Sequence, residues 1–200
     1  MEREKLIKYI LDMEWDMFTN VKNQNGRASC QDDYQTFVIM RLAQLQVWGQ
    51  EVLASYFLDL LEAKEAGRNL MTEKYAHMME TTDPEGYAKI KDFLPPVSEK
   101  AKEIAKAIIR IYTVWEKEMA IRYPKLRSKG RAAKTEPSLD GEVSVEEYQY
   151  CELLTYSERT LKILLEYIGE HARENLYIAE VANMVQAYGY DSLESAEAAL

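Results

Sequence analysis

Helix breakers are scarce in this chain. Its 200 residues include only 8 glycines and 5 prolines, too few for an all-β protein with its many turns. Cysteine is scarce too. Cys30 and Cys151 lie far apart, each in or beside a predicted helix, without the CxxC spacing of a zinc site. They read as reduced thiols in a reducing compartment. No stretch approaches the about 18 uninterrupted apolar residues of a membrane span. The N-terminal MEREKLIKYILDMEWDMF lacks the apolar core of a signal peptide, because acidic residues interrupt every apolar run. A cytoplasmic protein without a membrane partner is expected. Positive charge is in deficit, with 25 Lys and Arg against 34 Asp and Glu, a net charge of −9. Affinity for phosphate backbones rests on surplus cations, so nucleic acid is not an expected partner. GxxxxGK[ST], GxGxxG after a strand, GxSxG and HExxH are all absent. That disfavours phosphate-loop, dinucleotide-binding, serine-hydrolase and zincin chemistry, and no cofactor is expected.

What is present is helix-forming sequence. Apolar residues make up 47% and charged residues 30%, an ordinary globular balance. The length suits a single domain over residues 1–200, large enough to bury roughly 70% of the surface its unfolded chain exposes. Apolar residues recur at helical spacing. Helix one is predicted over about Glu2 to Val21, and KNQNGRA (22–28) interrupts it. Ser29 with Asp32 has the form of a capping box opening one long helix from Cys30 to about Lys64. That helix is apolar over a wide arc and is read as the spine of the fold. A third helix covers about Asn69 to Glu80. A short one follows Asp83 and Pro84 and reaches about Phe93. Ser98 caps a fourth long helix, Glu99 to Arg122. From Tyr123 to Val143 the pattern stops in a long loop, basic over Arg122 to Lys134, read as a connector or as a lid over an anionic substrate. Ser144 and Glu147 open helix five, which runs to about Ile168. Helix six covers about Asn175 to Tyr188, and Asp191 and Glu194 cap a terminal helix. The expected fold is all-α, five to six long helices packed as a bundle or orthogonal array.

Four segments together resemble a known family. They are EWDMFTNVKNQNGRASCQDDYQTFVIMRLAQ (14–44), EKYAHMMETTDP (73–84), TYSERTL (155–161) and YGYDSLESAE (188–197). In this order they resemble the bacterial family catalogued as domain of unknown function 4125, and they span nearly the whole chain. The resemblance implies a helical, one-domain, cytosolic bacterial protein. It carries neither an activity nor a catalytic residue with it.

The residues offer four candidate chemistries. Cys30 is predicted in the first turn of the longest helix, where the helix dipole and Arg27 would lower a thiol pKa or hold an anion. The structural alternative is that Ser29 caps, Cys30 packs and Arg27 pairs with a local Asp. Second, polar residues interrupt apolar stripes: Glu14 on helix one, Arg41 and Gln44 near Trp48 on helix two, Glu152 and Arg159 on helix five. Charges there are costly unless paired. Either they close into a network such as Glu14 with Arg41, or they line a polar-aromatic pocket for a small cationic or zwitterionic ligand. Third, Glu73, His77 and Glu80 share a helix face, and His171 with Glu174 offers a partial H-x-x-E set. His77, however, falls opposite Met71, Tyr75 and Met78, on the side read as solvated, so no metal is expected. The fourth is the basic loop. Two functions remain. One is a ligand-binding protein or enzyme with a site between helices one, two and five, taking a small-molecule or anionic ligand near Glu14, Arg27, Cys30, Arg41, Gln44, Trp48, Glu152 and Arg159. The other is a helical protein–protein interaction module.

Overall fold

Side-chain caps start most of the helices. Asp33 accepts from the Thr36 amide (3.0 Å), Asn69 from Thr72 (2.9 Å), Asp83 from Gly86 (3.0 Å) and Ser98 from Ala101 (3.1 Å). Ser144 accepts from Glu147 (3.1 Å) and Ser157 from Thr160 (3.2 Å). Each satisfies an amide that would otherwise lack a partner at a helix start. The computed structural model describes residues 1–22, 26–131 and 143–200. Its regular elements are all helical: α1 (Arg3–Thr19), α2 (Tyr34–Val47), α3 (Gln50–Glu65), α4 (Leu70–Thr82), α5 (Pro84–Ile90), α6 (Glu99–Arg122), α7 (Pro124–Ser128), α8 (Val145–Leu153), α9 (Glu158–Glu170), α10 (Leu176–Ala187) and α11 (Leu193–Ala199). Two 3-10 turns, Ser29–Asp32 and Lys91–Phe93, complete them. The all-α class stands, but the described helices number eleven rather than five or six.

Two breaks account for most of that difference. The expected spine from Cys30 to Lys64 divides at Trp48 and Gly49, both in extended backbone. Arg3 of α1 donates to the Trp48 carbonyl (2.7 Å) and the Gln46 carbonyl (2.8 Å), and Tyr167 of α9 donates to the Val47 carbonyl (2.9 Å). Three carbonyls at the end of α2 thus find partners outside the helix. Gly49 is needed because a Cβ there would lie 2.7 Å from the Tyr167 ring. The wide apolar arc belongs to two helices, each with its own stripe. At the other end, Ser29 does not cap a helix. A 3-10 turn intervenes, and Gln31 anchors it, donating to the Phe18 carbonyl (2.8 Å) and the Val21 carbonyl (2.9 Å). Helix five likewise divides, into α8 and α9, across the turn at Leu154–Ser157.

Smaller corrections concern the ends. The long loop begins with the one-turn α7, while residues 132–142 of that loop lie outside the described residues. Ser192, not Asp191, caps α11. The main core joins Ile10 of α1, Leu45 of α2, Leu53 of α3, Ile108 of α6 and Leu164 and Ile168 of α9, each 1% exposed or less. Here α9 packs on α3 and α6, and α1 on α2 and α3. A smaller apolar cluster, including Met119, Val181 and Leu193, ties α10 and α11 to the end of α6. α10 also packs along α2, and α8 packs on α4 and α6. That leaves α2, α6, α8 and α10 around one interior space. Among the described residues no helix is long and apolar enough to cross a membrane.

Candidate functional site

The floor of that space is an ion network centred on Arg41. α1 puts Glu14 on its apolar stripe, one to two turns from Ile7, Ile10 and Leu11, so its carboxylate points into the core and is fully buried. α2 brings Arg41 to meet it. Nε donates to Glu14 Oε2 (2.9 Å) and Nη2 to Glu14 Oε1 (2.5 Å), a two-pronged pair. Arg41 Nη1 donates to the Gln44 side-chain oxygen and to Glu152 Oε1 (3.0 Å). From α4, Lys74 donates to Glu152 Oε2 (2.5 Å). Tyr56 of α3 donates to Glu14 Oε1 (2.6 Å), and Tyr156 in the α8–α9 turn donates to Glu152 Oε1 (2.8 Å). Five elements and one turn therefore converge on two carboxylates and two cations.

The pairing fixes the charge states. Burial alone would push Glu152 toward its neutral form, but Arg41 and Lys74 more than reverse this and hold it well below the usual carboxylate range. Burial likewise opposes the charged forms of Arg41 and Lys74, and their carboxylate partners outweigh it, raising both. Burial, then the adjacent carboxylates, raises the Tyr56 and Tyr156 hydroxyls, which stay protonated donors.

Above this floor lies a cavity of about 310 Å³, at the small end of the range for ligand sites. Arg41, Gln44 and Glu152 form its polar base, and Trp48, Tyr112, Tyr148, Tyr156 and Tyr177 line its walls. Lys74 Nζ lies 3.7 Å from the Tyr148 ring centre, and the exposed Arg131 guanidinium 4.5 Å from it. The Trp48 indole N–H is buried with no acceptor at hydrogen-bonding geometry among the described residues, though the Tyr112 hydroxyl is near enough to feel it. Facing the base from α10 is Glu180. Among the described residues no hydrogen bond or ion pair engages it. Burial raises its carboxyl to about 7, with Arg41 pulling down and Glu152 pushing up. A carboxyl poised there can give or take a proton at neutral pH.

Of the residues singled out in the sequence, Arg41, Gln44, Trp48 and Glu152 line the cavity, and Glu14 supports Arg41 from behind. A paired network with Glu14 lies on one side of the Arg41 guanidinium, and the cavity lies on the other. Arg27, Cys30 and Arg159 do not line the cavity. Arg27 lies at the surface, held by Asp32 (2.8 Å) and the carbonyls of Thr19 (2.9 Å) and Gln31 (2.8 Å). Cys30 is exposed in the 3-10 turn and not in the first turn of a long helix. Arg159 sits across the α8–α9 break and binds Ser55 Oγ (3.1 Å) and Asp59 Oδ1 (3.2 Å) of α3. His77 is buried, not solvated, and its burial lowers its pKa. Its neighbour Glu73 is engaged by Arg68 through two hydrogen bonds (2.8 and 2.7 Å). Among the described residues no group of three or more His, Cys, Asp or Glu is arranged to hold a metal ion.

Lys74 and Glu180 are new to the site. Both carry the signal that exposed Glu14: Lys74 lies three residues after Met71 and four before Met78, and Glu180 lies at the same spacing between Tyr177 and Met184. Tyr56 and Tyr156 carried no such signal, because a tyrosine in an apolar stripe looks like core. No match was found among curated proteins or among solved structures. A family model described as protein of unknown function (DUF4125) matches residues 4–198, nearly the whole length, and the chain belongs to that family.

Proposed function

We propose that the chain is a small-molecule-binding protein or enzyme whose site is the cavity between α2, α6, α8 and α10. The observation that carries this is Glu180. A partly buried carboxyl raised to about 7, with no hydrogen bond or ion pair among the described residues, costs folding free energy. A perturbed acid on the wall of a polar-aromatic cavity is a mark of function more than of packing. Arg41 and Glu152 add to it by forming a rigid base whose rotamers are locked by their partners. The proposal sets the protein in the cytoplasm, where two cysteines so far apart in the sequence stay reduced.

The interaction-module alternative requires a contiguous exposed apolar patch. Val114 and Ile121 on α6 stand about 10 Å apart along the axis, and the face this alternative would use is instead that of α1 and α3, where exposed Tyr9 and Leu61 share a groove with Met13 and Phe57. The ligand reading is tested by thermal denaturation against a panel of metabolites, in the wild type and in Met184→Trp. Met184 lies on the cavity wall, partly buried beside the smaller apolar cluster, and an indole in its place takes up cavity volume. A compound that raises Tm in the wild type and not in Met184→Trp supports the site. Stabilisation by no compound, or stabilisation indifferent to the variant, counts against it.

A further inference from the structure

We propose that this cavity takes an organic amine, whose ammonium group pairs with Glu180 while an aromatic or aliphatic body fills the space between Trp48, Tyr112 and Tyr156. The proposal rests on the cavity being a ligand site and names the class of ligand.

It follows from which charges are already occupied. In the base, Arg41 and Lys74 face Glu14 and Glu152, two cations against two carboxylates, each engaged by short hydrogen bonds. An anionic ligand would have to displace Glu152 or Glu14 from Arg41, leaving a buried carboxylate unpaired. Arg131, the other cation on the wall, is exposed and lies over the Tyr148 ring. Glu180 is different, since no hydrogen bond or ion pair holds it among the described residues, and it faces the interior. The walls suit a cation as well. Aromatic faces attract an ammonium group, and Tyr148 already takes Lys74 in that way.

The proton balance is simple. Among the described residues, the titratable and charged groups that line the cavity with Glu180 are Arg41 from α2, Tyr112 from α6, Arg131 beyond α7, Tyr148 and Glu152 from α8, Tyr156 after it, and Tyr177 on α10 itself. Burial keeps Tyr112 and Tyr177 protonated, Tyr177 at about 12, and Glu152 is ionised. Of these groups, the one whose proton titrates near neutral pH is Glu180, at about 7. When an ammonium group arrives, the Glu180 O–H ionises, its proton leaves to the buffer, and the carboxylate accepts the ligand's N–H. Binding below pH 7 releases up to one proton, and binding at pH 9 releases almost none.

The experiment compares three probes of one shape: 2-phenylethylamine, 2-phenylethanol and 3-phenylpropanoate. Affinities are read by ligand-observed NMR, and proton release by calorimetry at pH 6 in buffers of different ionisation heat. The amine is expected to bind at least about tenfold more tightly than the alcohol or the carboxylate. Glu180→Gln, which keeps shape and removes only the charge, is expected to erase that preference and the proton release. If the alcohol or carboxylate binds as well as the amine, and Met184→Trp blocks it, the amine assignment is wrong while the cavity remains a ligand site. Binding of the amine that Met184→Trp leaves unchanged places it elsewhere and removes both readings. Failure of all three probes overturns the amine assignment, and the metabolite panel then decides the cavity reading separately.

Discussion

Arg41 is the residue on which the interior depends. It is engaged by Glu14, Gln44 and Glu152, and removing it leaves two buried carboxylates short of their partner. Arg41→Ala is expected to cost about 3–5 kcal/mol in denaturant unfolding. Arg41→Lys recovers little of this, because a single ammonium cannot reproduce the two-pronged contact with Glu14. Glu180 behaves in the opposite sense. Its carboxyl rises from 4.5 to about 7 on folding, so the folded state holds the proton more tightly than the unfolded state. Stability contributed at Glu180 is then present below about pH 4.5 and falls as pH rises through 7. Glu180→Gln is expected to be more stable than the wild type at pH 8, by roughly 2 kcal/mol after allowing for its partial exposure, and equal to it at pH 4. A loss of stability at pH 8 means that Glu180 is ionised and well paired. Glu152 runs the other way. Its depressed pKa stabilises the fold above the ordinary carboxylate range, and that contribution is lost as pH falls below it.

Helix starts and charged residues in apolar stripes were legible, and helix interruptions were not. Ser98, Ser144 and Asp83 announce their helices by local chemistry, and Glu14 and Arg41 stand out because a charge on an inward face demands a partner. The break at Trp48 and Gly49 depends on Arg3 and Tyr167, which lie 45 and 120 residues away from their hydrogen-bond partners Trp48 and Val47. No local pattern reports such contacts, and a single glycine within a long helical pattern is commonly tolerated. The α8–α9 break contains neither glycine nor proline, and it is what parts Arg159 from Glu152. Gly49→Ala tests the first break. With the Tyr167 ring 2.7 Å from the new Cβ, overpacking is expected to cost about 1–3 kcal/mol, relieved only in part when Tyr167→Leu is added, because the leucine also removes the hydrogen bond to the Val47 carbonyl. Asn175 tests a helix start. It adopts a left-handed φ of 47°, caps the Ile178 amide (3.0 Å), and donates to the Trp115 carbonyl (3.1 Å) and Glu118 (2.8 Å). Asn175→Ala should lose about 2 kcal/mol, and Asn175→Gly less, because glycine keeps the backbone conformation.

The whole molecule places a closed polar network and an open cavity back to back, sharing Arg41 and Glu152. Closed networks specify a single arrangement of helices only when every member is satisfied. Here that condition is met on the Glu14 side and, among the described residues, left unmet at Glu180 across the cavity. The central claim is that this unmet side is a binding site, and a ligand-observed NMR screen of charged and neutral fragments tests it most directly when repeated on Met184→Trp. A binding cavity predicts fragments that contact the wild type and lose contact in the variant, with ammonium compounds enriched among them. A screen in which the wild type and Met184→Trp bind the same fragments, or bind none, would contradict it.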